Sequence, residues 1–95
     1  MADAEAAAGE FEIVNVRGLH ARAATKLVQV ASRYPCEVLL SAPEAGDVNA
    51  KSVMGVLLLC GAKGTLVRVK AHGPKAQEVV DAIGRLIEDR FGESE

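Results

Sequence analysis

The stretch Gly18-Leu19-His20-Ala21-Arg22-Ala23-Ala24 joins a predicted strand to a predicted helix, and it decides how the elements on either side are interpreted. Before it, Phe11–Val16 is a short run of apolar and branched residues, which is typical of a β-strand. After it, apolar residues recur at helical spacing from Ala24 to Ala31, which predicts a helix over 21–33. His20 is therefore expected where a strand ends and a helix begins.

A histidine in this position is chemically suited to accept a phosphoryl group. The first amides of a helix have no partner within the helix, and the helix dipole favours an anion beside them. Neutral imidazole is available as a nucleophile near neutral pH, because its unperturbed pKa is about 6.5. Arg22, two residues on, can hold phosphate oxygens with its guanidinium group. In the alternative interpretation His20 is an ordinary cap or surface residue, and Arg22 is a solvated arginine.

The remaining elements follow from apolar periodicity and from turn residues. Strands are predicted over about 36–41, 47–50 and 65–71, and a short helix over about 52–57. The last helix is predicted to begin at Gly73-Pro74, with the proline in its first turn, and to end at Gly92. The order is β-α-β-β-α-β-α, an α+β chain whose antiparallel sheet carries helices on one face. Periodicity leaves the strand order open, and a ferredoxin-like sandwich remains an alternative.

Composition restricts the function classes. The chain of 95 residues is long enough for one domain, and its net charge of −2 disfavours a nucleic-acid partner. No stretch approaches the ~20 apolar residues of a membrane span, and the acidic start lacks a secretory signal, so we expect a cytoplasmic protein. The spacing of Cys36 and Cys60 fits no metal motif. Lysines and arginines near His20 nevertheless suggest an acidic partner surface.

Two motifs resemble signatures of one family. Gly-Leu-His-Ala-Arg around His20 resembles the active-site motif of the HPr family, the histidine phosphocarriers of the phosphoenolpyruvate-dependent phosphotransferase system and its nitrogen-related branch. Val48–Val56 resembles the family's second signature, which is built around a serine that can be phosphorylated, here Ser52. The resemblance covers roughly 11–91. It implies an open-faced β-sandwich with a four-stranded antiparallel sheet, strand order 1-4-2-3 and three helices on one face.

The resemblance also implies domain limits. We expect a flexible acidic tail over 1–10, an HPr-like domain over 11–92 and a C-terminal tail over 93–95. The family usually has proline where this chain has Ala23. Alanine keeps the helix and restores a free N–H, so the change is expected to affect transfer rate and partner preference more than the fold.

The implied function is that of a phosphocarrier rather than a turnover enzyme. His20 accepts a phosphoryl group from an Enzyme I-like kinase and passes it to an enzyme IIA-like acceptor, while Ala21, Arg22 and Ala23 bind the phosphate. No cofactor, metal, nucleic acid or membrane span is expected, and the chain is expected to be a monomer. The alternative is a small α/β regulatory or ligand-binding module in which His20 only caps a helix. His72 matches no such motif and is taken for a surface residue.

Ser52 has a structural and a regulatory interpretation. It is expected to cap the short second helix, which contributes about 1 kcal/mol. The resemblance adds phosphorylation by an HPr kinase/phosphorylase, which would place charge in the partner-docking surface. That docking surface is expected to consist of six residues: Arg17, Leu19, Lys26, Val53, Met54 and Leu57.

The branch of the family remains open at this point. Leu57–Leu59, together with Ala62–Gly64 and Gly73-Pro74, looks like the nitrogen-related branch. Asn49–Gly55 looks like the sugar branch. Sugar transport and regulation therefore both remain as pathways.

Overall fold

The computed structural model describes residues 5–43 and 45–95, which form a four-stranded antiparallel sheet and three α-helices. The strands follow the order β1-β4-β2-β3, and the helices pack on one face of the sheet around a single apolar core. This is the open-faced sandwich with the predicted strand order, and not the ferredoxin-like alternative. The elements are β1 Ala6–Glu12, α1 Ala21–Ala31, β2 Glu37–Ala42, β3 Ala45–Asn49, α2 Val53–Leu58, β4 Leu66–His72, α3 Ala76–Glu88 and a 3₁₀ turn at Arg90–Gly92.

The first strand begins earlier than predicted. β1 pairs with β4 from Ala6, opposite His72, to Glu12, opposite Leu66. The prediction of a flexible tail is therefore wrong for residues 6–10, and residues 1–4 lie outside the described ranges. Alanine, glycine and glutamate have low strand propensity, but pairing with a partner strand overrides propensity. Small inner-face residues also fit under α3: a Cβ added at Gly9 would meet Val80 Cγ1 at 3.1 Å.

The last helix is shorter than predicted at both ends. Lys75, with a φ of +65°, precedes its first residue, so Pro74 lies before the helix instead of in its first turn. The helix ends at Glu88, and Arg90 and Phe91 then adopt left-handed conformations with φ of +58° and +55°. This reversal buries the Phe91 ring completely and carries the end of the chain back towards His20.

The other elements lie close to their predicted positions. The helix predicted over 21–33 ends at Ala31, and the three later strands shift by one or two residues. In β4 the side chains of Val67 and Val69 are fully buried, while Arg68 on the opposite face is exposed, as the alternation predicts. Within the described ranges, no helix is long and apolar enough to cross a membrane.

Candidate functional site

A tight turn positions the residue that begins α1. Gly18 has a φ of +66°, and a Cβ built there would lie 2.4 Å from the carbonyl oxygen of Gly61. Two hydrogen bonds close the turn. The backbone N–H of Gly18 donates to the backbone carbonyl of Asn15 at 3.2 Å, and the side-chain Nδ2 of Asn15 donates to the backbone carbonyl of Gly18 at 2.9 Å. Leu19 N–H donates to Gly61 O at 2.8 Å. Only glycine satisfies both the backbone angle and the close approach at this point.

His20 lies directly before α1, as predicted, and is the N-cap of that helix, but β1 ends at Glu12 and not at Val16, so the strand does not reach His20. Its backbone is extended, with a φ of −75° and a ψ of 179°, and its Nδ1 accepts the backbone N–H of Arg22 at 3.3 Å. The ring is partly buried, with 24% of the side chain exposed. The structure therefore directs Nδ1 at the amide end of the helix, where an anion is favoured.

The other ring nitrogen of His20 faces an acidic partner that sequence reasoning missed. Nε2 is paired with Glu93 Oε2, and Asn15 Nδ2 donates to Glu93 Oε1 at 3.0 Å. The hydrogen bond with His20 lowers the pKa of Glu93 below its usual 4.5, Asn15 and Arg17 act in the same direction, and partial burial opposes them. The prediction that 93–95 is a tail is therefore wrong, because Glu93 is held at the site.

Of the two residues that form this contact beside His20, Asn15 could be recognised from the sequence and Glu93 could not. Asn15 interrupts an apolar run and is fully buried, which is unusual for an amide side chain. Nothing in the local sequence of Glu93 indicates its contact. Its position depends on the left-handed turn at Arg90 and Phe91, which periodicity does not predict.

Two arginines lie beside the histidine. Arg17 and Arg22 are both exposed and line a cleft of about 280 Å³ together with Glu93 and residues 94–95. Arg17 also borders a shallow depression that includes His20 and Cys60. The cleft brings both arginine side chains together near the N-terminal end of α1, where their charges would stabilise an anion.

The three predicted phosphate-binding residues differ in exposure. Ala21 and Arg22 are exposed at the start of α1, while the methyl group of Ala23 is completely buried in the core. The position that is usually proline in the family therefore also carries a packing role. Throughout residues 5–43 and 45–95, no three His, Cys, Asp or Glu side chains group closely enough to hold a metal ion.

The structure does not bring all the predicted docking residues to the surface. Leu19 is only 6% exposed, so its side chain belongs to the core. Lys26 Nζ donates to the Phe91 carbonyl at 2.7 Å and is thereby engaged in anchoring the C-terminal turn. Val53 and Leu57 are half-buried against the core, whereas Met54 is 69% exposed.

Three exposed large apolar residues were not among the predicted docking residues, and one of them, Leu66 at the start of β4, is 50% exposed. Leu58 is 69% exposed on α2, and Val16 is 57% exposed in the loop before His20. An apolar triplet such as Leu57–Leu59 gives no local indication of which member points outward. On α2 the neighbours Met54 and Leu58 share one face, because residues four apart do so in a helix.

Ser52 caps α2, as predicted. Its Oγ accepts the backbone N–H of Gly55 at 3.1 Å, and its backbone is extended. His72 is exposed at the end of β4, in agreement with its prediction as a surface residue. Cys36 is buried and Cys60 is exposed, and both are free thiols.

Comparisons with known proteins agree with this fold and motif arrangement. The family model for the PTS HPr component phosphorylation site matches residues 7–89. The phosphocarrier protein HPr of Pseudomonas aeruginosa is 43% identical over 86 residues, covering 90% of this chain and 96% of that protein. The phosphocarrier protein NPr of Escherichia coli is 39% identical over 82 residues, covering 86% of this chain and 91% of that protein.

A solved structure gives the same result in three dimensions. The crystal structure of HPr-C-His from Thermoanaerobacter tengcongensis superposes with a TM-score of 0.88 at 37% identity, covering 94% of this chain and 99% of that one. Sequence motifs, strand order and overall superposition thus coincide. The chain belongs to the HPr family, the phosphocarriers of the phosphoenolpyruvate-dependent phosphotransferase system.

Proposed function

We propose that this protein receives a phosphoryl group on Nδ1 of His20 from an Enzyme I-like kinase and passes it to an enzyme IIA-like acceptor. The observation that carries the proposal is the orientation of the imidazole ring. Nδ1 accepts a backbone N–H of α1 at 3.3 Å, while Nε2 is engaged by Glu93. The lone pair on Nδ1 is therefore directed towards the helix amides that would bind the transferred oxygens.

The transfer step needs little covalent work from the protein. The Nδ1 lone pair forms a bond to phosphorus as the bond from phosphorus to the donor breaks, and its electron pair leaves on the donor. The N–H of Arg22 is then free to donate to a phosphoryl oxygen, with the amides of Ala21 and Ala23 beside it. The guanidinium of Arg22 balances the charge on the oxygens. Positioning and electrostatic stabilisation of this kind account for most of the catalysis of phosphoryl transfer.

The proposed role is that of a monomeric intermediate in the cytoplasm and not that of a turnover catalyst. A phosphoramidate on imidazole is reactive enough to be passed on, whereas a serine ester would be too stable for rapid onward transfer. The phosphoryl group of His20 must therefore be consumed by a second protein, which makes a docking surface part of the function.

The docking surface that we propose is centred on Met54, with Val53 and Leu57 shaping its base and Arg17 at its basic side. Methionine adapts to several partners because its side chain is flexible and polarisable. Phosphorylation of Ser52 by an HPr kinase/phosphorylase would add roughly −1.5 to −2 charge beside this surface. We propose that such a charge weakens docking to the donor.

Phosphorylation by purified Enzyme I and phosphoenolpyruvate tests the proposal. We expect phosphate on the protein that is labile in acid and stable in base, and none when Enzyme I is omitted. Sugar-branch and nitrogen-branch IIA proteins added in parallel should remove the label at different rates, which identifies the branch. A protein that takes no phosphate would instead support the binding-module alternative, in which His20 is only a helix cap.

A further inference from the structure

We propose that Glu93 is a positioning residue for His20, which fixes the ring so that Nδ1 is the nitrogen that accepts the phosphoryl group. This inference rests on the proposed phosphocarrier function and deepens it. The carboxylate of Glu93 contacts Nε2 of His20, on the side of the ring opposite the helix amides. Glu93 does not touch the reacting nitrogen, so it acts through the histidine.

The two contacts of the ring agree on one tautomer. Neutral imidazole has one N–H and one lone pair, and an ionised carboxylate can only accept a hydrogen bond. Nε2 of His20 must therefore carry the proton that Glu93 accepts. On the other side, Nδ1 accepts the N–H of Arg22 at 3.3 Å, which requires a free lone pair there. The acidic partner and the backbone donor thus both leave Nδ1 as the nucleophile.

Glu93 is itself fixed by the loop that carries His20. Asn15 is completely buried and uses its Nδ2 group twice, donating to Gly18 O at 2.9 Å and to Glu93 Oε1 at 3.0 Å. The backbone N–H of Val16 donates to Glu95 O at 3.0 Å. Histidine and glutamate are therefore held by the same turn, which keeps their relative placement constant.

A third anchor lies just before Glu93 in the chain. Phe91 is fully buried, and its carbonyl oxygen accepts a hydrogen bond from Lys26 Nζ at 2.7 Å. The chain is thus fixed to the core on one side of Glu93 and to Val16 on the other. Because the chain is held on both sides of Glu93, the carboxylate has a fixed position beside His20.

The carboxylate also matches the charge that develops during transfer. When the Nδ1 lone pair becomes the bond to phosphorus, the ring keeps its Nε2 proton and becomes positively charged. The bond to the donor breaks with its electron pair on the donor, so no proton has to leave His20. Glu93 faces the positive ring at Nε2, away from the negative phosphoryl group, and stabilises the phosphorylated state.

The test compares Glu93→Ala with Glu88→Ala, which removes an exposed glutamate from the last turn of α3. In the unphosphorylated wild type, NMR of the histidine ring should show a slowly exchanging Nε2–H proton at His20. That signal should persist in Glu88→Ala and disappear in Glu93→Ala. The maximal rate of phosphorylation by Enzyme I should fall by about tenfold or more in Glu93→Ala, because a ring that is no longer oriented reaches the reactive geometry less often. The donor concentration at half-maximal rate should not change.

The outcomes separate this inference from the proposed function. A persistent Nε2–H signal or a wild-type maximal rate in Glu93→Ala would overturn the positioning role. If the wild type itself accepts no phosphate, the phosphocarrier proposal fails together with the role of Glu93 in transfer. The ring-proton signal needs no donor, so it still reports by itself whether Glu93 holds the ring.

Discussion

Asn15 and Glu93 are separated by 78 positions in the chain, yet their side chains share a hydrogen bond of 3.0 Å. The bond joins the turn before α1 to the last turn of the protein. His20 contacts the other oxygen of the same carboxylate, so the loop before α1 and the segment after α3 meet at the proposed reacting residue. The stability of this connection should therefore depend on the ionisation of Glu93.

The pH dependence of unfolding should reveal this connection. Hydrogen bonds from His20 and Asn15 hold the pKa of Glu93 below its usual 4.5 in the folded state. The unfolded state thus binds a proton first as the pH falls, so the contribution of Glu93 is complete above pH 4.5 and is lost below it. Urea unfolding at several pH values should show a stability difference between wild type and Glu93→Gln that shrinks in acid. A difference that stays constant with pH would contradict the ionic contact.

A second prediction concerns the turn that presents His20. Gly18→Ala adds a methyl group 2.4 Å from Gly61 O at a φ of +66°, so it should destabilise the fold by well over the ~1 kcal/mol of left-handed strain alone. Gly64→Ala isolates the strain, because its φ is +92° with nothing within 4 Å. At Gly46 the backbone is not left-handed and an added Cβ meets nothing within 4 Å, so Gly46→Ala should leave the free energy of unfolding nearly unchanged.

Thermal unfolding of these three variants gives the ranking. We expect the melting temperature to fall most in Gly18→Ala, less in Gly64→Ala and least in Gly46→Ala. Equal melting temperatures for Gly18→Ala and Gly64→Ala would show that the contact with Gly61 is not close enough to matter.

Much of the fold could be predicted because its signals are local. The periodicity of α1, the alternation of β4 and the capping serine of α2 each depend on neighbouring residues only. β1 was placed too late because residues 6–10 are held by β4 and α3, not by their own propensity. The strand order came from the family resemblance, since periodicity does not determine which strands are neighbours.

The residues of the site likewise divide into those identified by a local motif and those brought in by contacts between distant parts of the chain. His20 and Arg22 were identified because they lie in one short motif. Glu93 was missed because it reaches His20 only after the reversal at Phe91, whose left-handed backbone carries no sequence pattern. The burial of Leu19 was also missed, because it depends on contact with the distant Gly61.

Arg22 should contribute to transfer and little to stability. Its side chain is exposed, so Arg22→Ala should change the free energy of unfolding by less than about 0.5 kcal/mol. The rate of phosphorylation should nevertheless fall, because the guanidinium group that holds phosphate oxygens is lost. Arg22→Lys should recover the rate only in part, since ammonium cannot form the planar two-point contact. Equal rates for wild type, Ala and Lys would remove Arg22 from the mechanism.

Ser52→Asp tests the proposed regulation. Aspartate is a good N-cap, so the melting temperature should hold or rise slightly. The added charge should weaken docking to the donor by on the order of 1–3 kcal/mol, so phosphorylation slows at low donor concentration and recovers partly at high concentration. Ser52→Ala is the matched control: it loses about 1 kcal/mol of capping but keeps wild-type docking. Wild-type kinetics in Ser52→Asp would leave Ser52 with the capping role alone.

The role of His20 is tested most directly by mapping the phosphate after incubation with Enzyme I and phosphoenolpyruvate in three proteins: the wild type, His20→Ala and His72→Ala. His72 is the matched control because it is the second histidine of the chain and is exposed at the end of β4. Circular dichroism would verify that each variant is folded. We expect acid-labile phosphate on His20 in the wild type and in His72→Ala, and none on folded His20→Ala. Undiminished phosphate on folded His20→Ala would contradict the proposal that His20 is the acceptor.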